Sequence, residues 1–332
     1  MRALRFMGLA AMAALVVFGC GKPESNAGPG QTAGKKIKLA GIIFQEDQFF
    51  HLVKIGMHDG AKKAGVELLD GNSNNKPEKE IELVNTYATQ GVDAILISPL
   101  SKTGSVEALK KANEKGIKII CHNTPIDADF IVSDIESDAV DLGTQTGQAA
   151  AKYIAEKMGG KANIAILAFK SQVPEQSDAR CKGFKDEMAK LPGVKIVAEQ
   201  DAWLPEMAVK KAEDIMTAHP EVDLIWAANE GGTVGSVMAV KNAGKAGKVV
   251  VFGTDSSEQL VSFLQDPDNI LQAITSQKPV EVGQMAVDFA VKAIKGEKVE
   301  KKVVMKGICL SRTDPAGIAD FKKKLDEWQK MD

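Results

Sequence analysis

The chain has few aromatic residues, 5% of 332, with only two tyrosines and three tryptophans. Its four cysteines, at positions 20, 121, 181 and 309, are scattered and match no zinc-binding spacing. Positive charge is not in excess: 42 basic against 44 acidic residues leave a net charge of −2, which argues against a nucleic-acid partner. There is no GxSxG elbow, no phosphate-binding glycine loop and no cluster of metal ligands, so neither a catalytic residue nor a cofactor or metal is expected. The apolar stretch near the start, Gly8 to Phe18, is too short to span a bilayer comfortably. What remains is 44% hydrophobic and 26% charged, an ordinary globular composition, long enough for two domains of moderate size.

The first residues read as a targeting segment rather than as fold. Arg2 and Arg5 precede the apolar stretch, which ends in "VVFGCGKPES". Gly19 followed by Cys20 resembles the lipobox of bacterial lipoproteins, with Phe18 a departure from its usual small residues. The resemblance implies cleavage after residue 19 and lipidation at Cys20, hence a periplasmic protein anchored to a bacterial membrane. Plain secretion is the alternative. Residues 20–36 are rich in Gly, Pro, Ser and Asn and read as a flexible tether. Cys121 follows the buried-looking run Ile117 to Ile120, and the remaining cysteines read as small apolar filler rather than as a disulfide.

From Ile37 onward, apolar strands alternate with amphipathic helices. "IKLAGIIF" precedes a helix over Phe49 to Ala64, "VELLDG" precedes Pro77 to Gln90, "VDAILISP" precedes Thr103 to Glu114, and "IKIICHN" closes a first block. "FIVSDIESDAVDLG" then leads into a helix over Ser137 to Met158. A second block pairs "ANIAILAF" with Glu175 to Lys190, "VKIVAEQ" with Pro205 to Ala218, "VDLIWAAN" with Glu230 to Asn242, and "KVVVFGTD" with Ser257 to Leu264. Short continuous apolar strands suit parallel sheets covered on both faces, so the fold class is α/β with two parallel sheets. In such sheets ligands collect at the carboxyl ends of strands. Those ends carry Gln45 to Gln48, Ser98-Pro99, His122 to Thr124, Asp201 to Trp203, Asn229-Glu230 and Thr254-Asp255, mostly hydrogen-bonding side chains, with aromatics at two of them.

Seven segments, "QEDQFF", "GVDAILISP", "GIKIICHN", "SDARCKGF", "AHPEVDLIWAANE", "VVVFGTDSSEQL" and "AITSQKPVEVGQMAV", make the chain from about Ile37 to Val304 resemble the periplasmic sugar-binding proteins of the ribose/galactose-binding type, the solute receptors of ABC importers. The resemblance implies two Rossmann-like lobes joined by a three-strand hinge, with crossovers near Ser133-Asp134, Gln277 and Val303. The lobes would be 37–134 plus 278–302 and 135–277 plus 303–332, and the tail "DPAGIADFKKKLDEWQKMD" reads as an additional amphipathic helix. A monomer would capture a sugar between the lobes by hinge closure and deliver it to a membrane permease. A sensory subunit presenting its ligand to a chemoreceptor or sensor kinase is the alternative.

A sugar has apolar C–H faces and hydroxyl edges, so a receptor needs rings for the faces and carboxylates or amides for the edges. The resemblance implies Asp47 as a polar contact, with Phe49 and Phe50 as one stacking face and Trp203 as the opposing aromatic. Phe49, Phe50 and Asp47 also fit a hydrophobic staple with its cap. Asn123 and Thr124 fall where ribose binders have an aspartate and an arginine, and Asp47 falls where they have an amide. Arg180, Asn229, Asp255 and Gln277 match the second-lobe contacts. His122 and Glu230 fall at positions that tend to point elsewhere. With the aspartate-arginine pair gone, a pentose, a hexose, a polyol and a modified sugar are equally open. Asp47 with Asp255 would suit glycoside hydrolysis, but the resemblance makes them binders. A ligand domain of a transcriptional regulator would need a helix-turn-helix where this chain has its leader and tether.

Overall fold

The structure, a computed structural model, describes residues 36–330. The expected signal segment, lipidation at Cys20, and the tether up to residue 35 lie outside the described residues. In chain order the first block is β1 (Lys38–Ile43), α1 (Gln48–Ala64), β2 (Glu67–Asn72), α2 (Pro77–Thr89), β3 (Ala94–Ile97), α3 (Val106–Glu114), β4 (Lys118–His122) and β5 (Ser133–Ser137). The second is α4 (Ala139–Lys157), β6 (Ala162–Ala168), α5 (Pro174–Met188), β7 (Val194–Asp201), α6 (Pro205–Ala218), β8 (Leu224–Ala227), α7 (Glu230–Asn242), β9 (Val250–Thr254), α8 (Glu258–Gln265) and β10 (Leu271–Ser276). The chain then returns through α9 (Pro279–Ile294) and β11 (Lys302–Met305) to end in β12 (Ile308–Ser311) and α10 (Pro315–Gln329).

The strands form two six-stranded sheets with the same winding, β2-β1-β3-β4-β5-β11 and β7-β6-β8-β9-β10-β12. Every pairing is parallel except β10 with β12. The direction in which strands are added reverses beside the first strand of each block, between β1 and β3 and between β6 and β8. That is the switch point at which open α/β sheets hold ligands. Side chains of β3 and β4 are almost all buried, as strands covered by helices on both faces require. Five helices, α2, α5, α6, α9 and α10, open on proline, whose fixed φ suits the first helical position and sets the boundary.

Two of the three crossovers fall later than the sequence suggests. β5 stays in the first sheet through Ser137, so the first crossover lies at Asp138, which caps α4 by accepting from the Asp141 amide at 2.9 Å. β11 pairs with β5, so Val303 belongs to the first sheet and the third crossover lies at Lys306-Gly307. β11 is a four-residue edge strand and β5, five residues long and largely polar, lies beside it, so both resemble linkers in sequence. The second crossover runs through Gln277 and Lys278 between β10 and α9. Side chains of α4 hold the third: Asp141 accepts from the Gly307 amide and Gln145 donates to the Gly307 carbonyl, both at 3.1 Å.

The C-terminal helix α10 is not confined to the second lobe. Its Ile318 and Phe321 join the core beneath β8, β9 and β10, while Leu325, further along, packs with Leu52 and Ile55 of α1 and Val280 of α9. The extension therefore ties both lobes. Cys121, Cys181 and Cys309 are free thiols, two of them buried in the cores.

Candidate functional site

A cavity of about 590 Å³ lies between the carboxyl ends of the two sheets. All nine sequence candidates reach it: Asp47, Phe49, Phe50 and Asn123 from the first sheet's loops, Arg180, Trp203, Asn229 and Asp255 from the second's, and Gln277 at a crossover. The lobes touch around it. Gln172 donates to the Gln45 side chain at 3.3 Å, Gln176 to the Asn123 carbonyl at 3.2 Å, and Lys102 pairs with Glu175 at 2.6 Å.

On the first lobe the chain leaves β1 through Phe44 and turns into α1 at Asp47. The Asp47 carboxylate accepts from the Phe50 amide at 2.9 Å and from the Gln45 side chain, so it caps the helix while facing the cavity. Capping α1 does not take Asp47 out of the cavity lining. Phe50 is a core ring, 2% exposed, edge-on to Phe44 at 4.6 Å and to Phe49 at 5.1 Å. Phe49, half-buried, is the more available ring. Although Asp47 is open to solvent on the cavity side, protein surrounds it elsewhere, and this desolvation raises its pKa, opposed by the Phe50 amide.

On the second lobe Asp255 organises the site. It accepts from Arg180 Nη1 at 3.2 Å, the Gln277 amide at 2.6 Å and the Glu230 backbone N–H at 3.0 Å. Arg180, 4% exposed, also donates to the Ala228 carbonyl at 2.8 Å and stacks over Phe169, its guanidinium carbon 5.0 Å from the ring centre. Asn229 caps α7 through Gly232 at 3.1 Å and donates to the Trp203 carbonyl at 2.9 Å, so it fixes the aromatic loop beside the cavity. Asn74, Asn75, Asn123 and Asp255 line the cavity in the left-handed backbone region, with φ of 52°, 57°, 63° and 72°. Such conformations are uncommon outside glycine and gather at functional sites.

Glu230 corrects one expectation: its side chain lines the cavity instead of pointing elsewhere. Burial pushes its pKa up to about 7, against a Ser257 hydrogen bond and with help from Asp255 and Asp47. The Thr124 hydroxyl accepts from the Asn123 side chain at 3.4 Å, behind the cavity wall. Phe169, Gln172 and Gln176 are cavity residues that the sequence reading passes over. They follow β6, whose carboxyl end was not among those picked out by their polar side chains, because the first residue there is a phenylalanine.

His122 is buried at 1% exposure off the cavity, and neither ring nitrogen finds a partner among the described residues. Burial lowers its pKa to about 3. Its folded pKa lies below the ordinary 6.5, so the stability from keeping it neutral is present above about pH 6.5 and is lost as pH falls toward 3. The raised pKa values of Glu230, about 7, and Asp134, about 6, act in the opposite sense, since a carboxyl kept protonated favours folding at the lower pH. These two contributions cancel when His122→Met is compared with the unaltered protein. The variant should gain about 1.4 kcal/mol in relative stability for each pH unit below about 6.5. Urea midpoints at several pH values check this; parallel pH curves would show that His122 is not the neutral buried group.

A profile of the periplasmic binding protein domain matches residues 42–298 of the chain. The chain is 32% identical to the ribose import binding protein RbsB of Escherichia coli over 76% of its own length and 83% of the relative's. It is 28% identical to the xylitol-binding protein of Mycolicibacterium smegmatis, over 93% and 87% of the two lengths. Among solved structures, it is similar to an ABC transporter periplasmic solute binding protein of Actinobacillus succinogenes holding D-allose, with a TM-score of 0.78 and 26% identity, covering 85% of this chain and 100% of that one.

Proposed function

The chain belongs to the periplasmic binding protein domain family, sugar-binding solute receptors of ABC transporters, and from that premise we propose that it captures a sugar between its lobes by hinge closure and delivers it to a membrane permease. It is not an enzyme: its relatives are binding components of transport. The observation that carries the reading is a cavity walled from both sheets, with Phe49 and Trp203 as rings and Asp47, Asn123, Arg180 and Asp255 as hydrogen-bonding edges. A ligand seated there touches both lobes at once, so it favours the closed arrangement by its extra affinity for that state. Relatives named for ribose and xylitol, and a similar structure holding D-allose, support a ligand among pentoses, hexoses and polyols. The leader and Cys20 make the protein a periplasmic lipoprotein, held at the membrane where its permease resides.

A thermal-shift panel of pentoses, hexoses, polyols and amino acids tests this. A sugar at a hundredfold excess over its dissociation constant should stabilise the protein by about 2.7 kcal/mol. Trp203→Ala should weaken that sugar about tenfold, since a ring face covering about 50 Å² at about 25 cal/mol per Å² supplies about 1.3 kcal/mol. A panel in which only amino acids shift the transition would overturn the sugar assignment.

A further inference from the structure

The charges around the cavity do not balance. Four carboxylates line it, on Glu46, Asp47, Glu230 and Asp255, and among the described residues lining it Arg180 is the one cation. Arg180 is committed to Asp255, and Glu46 faces outward to Lys54 at 3.6 Å. Asp47 and Glu230 are left, one from each lobe, with only neutral donors around them: the Phe50 amide and Gln45 for the first, Ser257 for the second. Desolvation first, and then repulsion of Glu230 by Asp255 and Asp47 and of Asp47 by Asp255, raise the pKa of both. Asp47 is open to water on the cavity side, and carboxylates that lose their water on closure without gaining a cation are costly. A metal ion does not relieve them, because among the described residues no three acidic, histidine or cysteine side chains are grouped to hold one.

Arg180 and Gln48 also line the cavity, but the Arg180 Nε and the Gln48 side-chain nitrogen, which have no acceptor among the described residues, are covered by protein. What the cavity itself asks of an occupant is positive charge for the carboxylates, with oxygens for the donors of the lining. Building on the sugar reading above, we propose that the ligand is a protonated amino sugar whose ammonium sits between Asp47 and Glu230 and whose hydroxyl oxygens accept from the side-chain donors of the lining. An ammonium carries three donors and can bond both carboxylates, and charge-assisted bonds of this kind are the strong ones. The neighbouring rings of Phe49 and Trp203 are compatible with its charge. A neutral sugar satisfies the donors but leaves the carboxylates facing each other.

Titration calorimetry with matched pairs decides the question: D-glucosamine against D-glucose, D-galactosamine against D-galactose, and D-mannosamine against D-mannose, at about pH 6.5, where the amine is protonated. The best-binding pair should favour its amino member by about tenfold or more. Glu230→Gln should lower that ratio several-fold, and so should Asp47→Asn, which still caps α1; because Asp47 is also a hydrogen-bonding edge for the sugar, the readout is the ratio within a pair and not the affinity of the neutral member. If a neutral sugar binds as tightly as its amino partner, the proposal falls and sugar capture stands. If no member of any pair binds, the amino-sugar proposal falls, while sugar capture is decided separately by the panel of pentoses, hexoses and polyols.

Discussion

Arg180→Met is expected to lower stability by about 3 kcal/mol and to abolish sugar binding. Breaking a buried ion pair by removing one partner leaves the other charge uncompensated, typically at about 3–5 kcal/mol. The low end applies because Asp255 is 16% exposed along its side chain and keeps the Gln277 amide and the Glu230 N–H. Methionine fills much of the space over Phe169 and keeps the stem's packing, so the loss reports on charge. The control is the double variant Arg180→Met with Asp255→Asn. Asparagine tolerates the left-handed backbone at 255, where φ is 72°, and it brings no charge. The double variant should therefore be more stable than Arg180→Met alone, a coupling read from urea midpoints. Strict additivity of the two changes would mean that the pair does not hold the site together. Calorimetry should find no sugar binding in either variant, because each removes contacts facing the cavity.

The elements of the fold that could be read from sequence are those whose ends carry a chemical mark. Helices α6 and α7 start at Pro205 and Glu230 as the proline and the Asn229 cap dictate, and they end where the sequence puts them. Helix α3 starts later than its apolar spacing suggests, because Ser101 accepts from the Gly104 amide at 3.0 Å and holds residues 101–104 in a turn. Strand β11, at the sheet edge, and β5 beside it have no such mark. They are four and five residues long, and it is pairing, β5 with β4 and β11 with β5, with Lys302 close to Glu136, that makes them sheet. At the site, strand ends point to Asp47, Asn123, Trp203, Asn229 and Asp255, because an apolar run that stops at polar side chains is a local signal, whereas Phe49, Phe50, Arg180 and Gln277 rest on the family resemblance. Orientation is not local. Phe49 and Phe50 are adjacent on one helix, so they cannot share a face, and it is Phe44 that decides which ring is core. Glu230 is a first-turn residue whose side chain can take either side of the helix; its cavity position follows from Asp255 holding its backbone. The imbalance of charge needs all of these placements at once.

The second large effect concerns a residue with no side chain. Gly143 of α4 lies against α5 so closely that a Cβ there would sit 1.9 Å from the Arg180 carbonyl oxygen. Glycine inside a helix ordinarily costs about 0.5–1 kcal/mol relative to alanine, so Gly143→Ala would stabilise an isolated α4. In the folded protein the sign reverses. Backbone cannot rotate away as a side chain can, so α5 must move off α4, opening the packing of Phe184 against Trp226 and shifting Arg180. The loss should exceed about 3 kcal/mol, beyond the usual range for one added methyl in a core. Gly147, one turn along the same face, calibrates it. Its Cβ would meet the Glu187 Cβ at 2.9 Å, an atom fixed to its own backbone, and the Phe184 Cα at 3.3 Å, so α5 must give by a few tenths of an ångström rather than by a whole atom. Gly147→Ala should therefore cost about 1–2 kcal/mol, less than Gly143→Ala, with the helix preference for alanine offsetting part of the contact. Thermal unfolding of the two variants separates the cases, and sugar affinity adds a second readout. Gly143→Ala should weaken binding because the Arg180 backbone is the atom it displaces, whereas Gly147→Ala should leave it unchanged. Equal transitions for the two variants would mean that α4 and α5 are not in backbone contact, and the position of Arg180 would then need another cause.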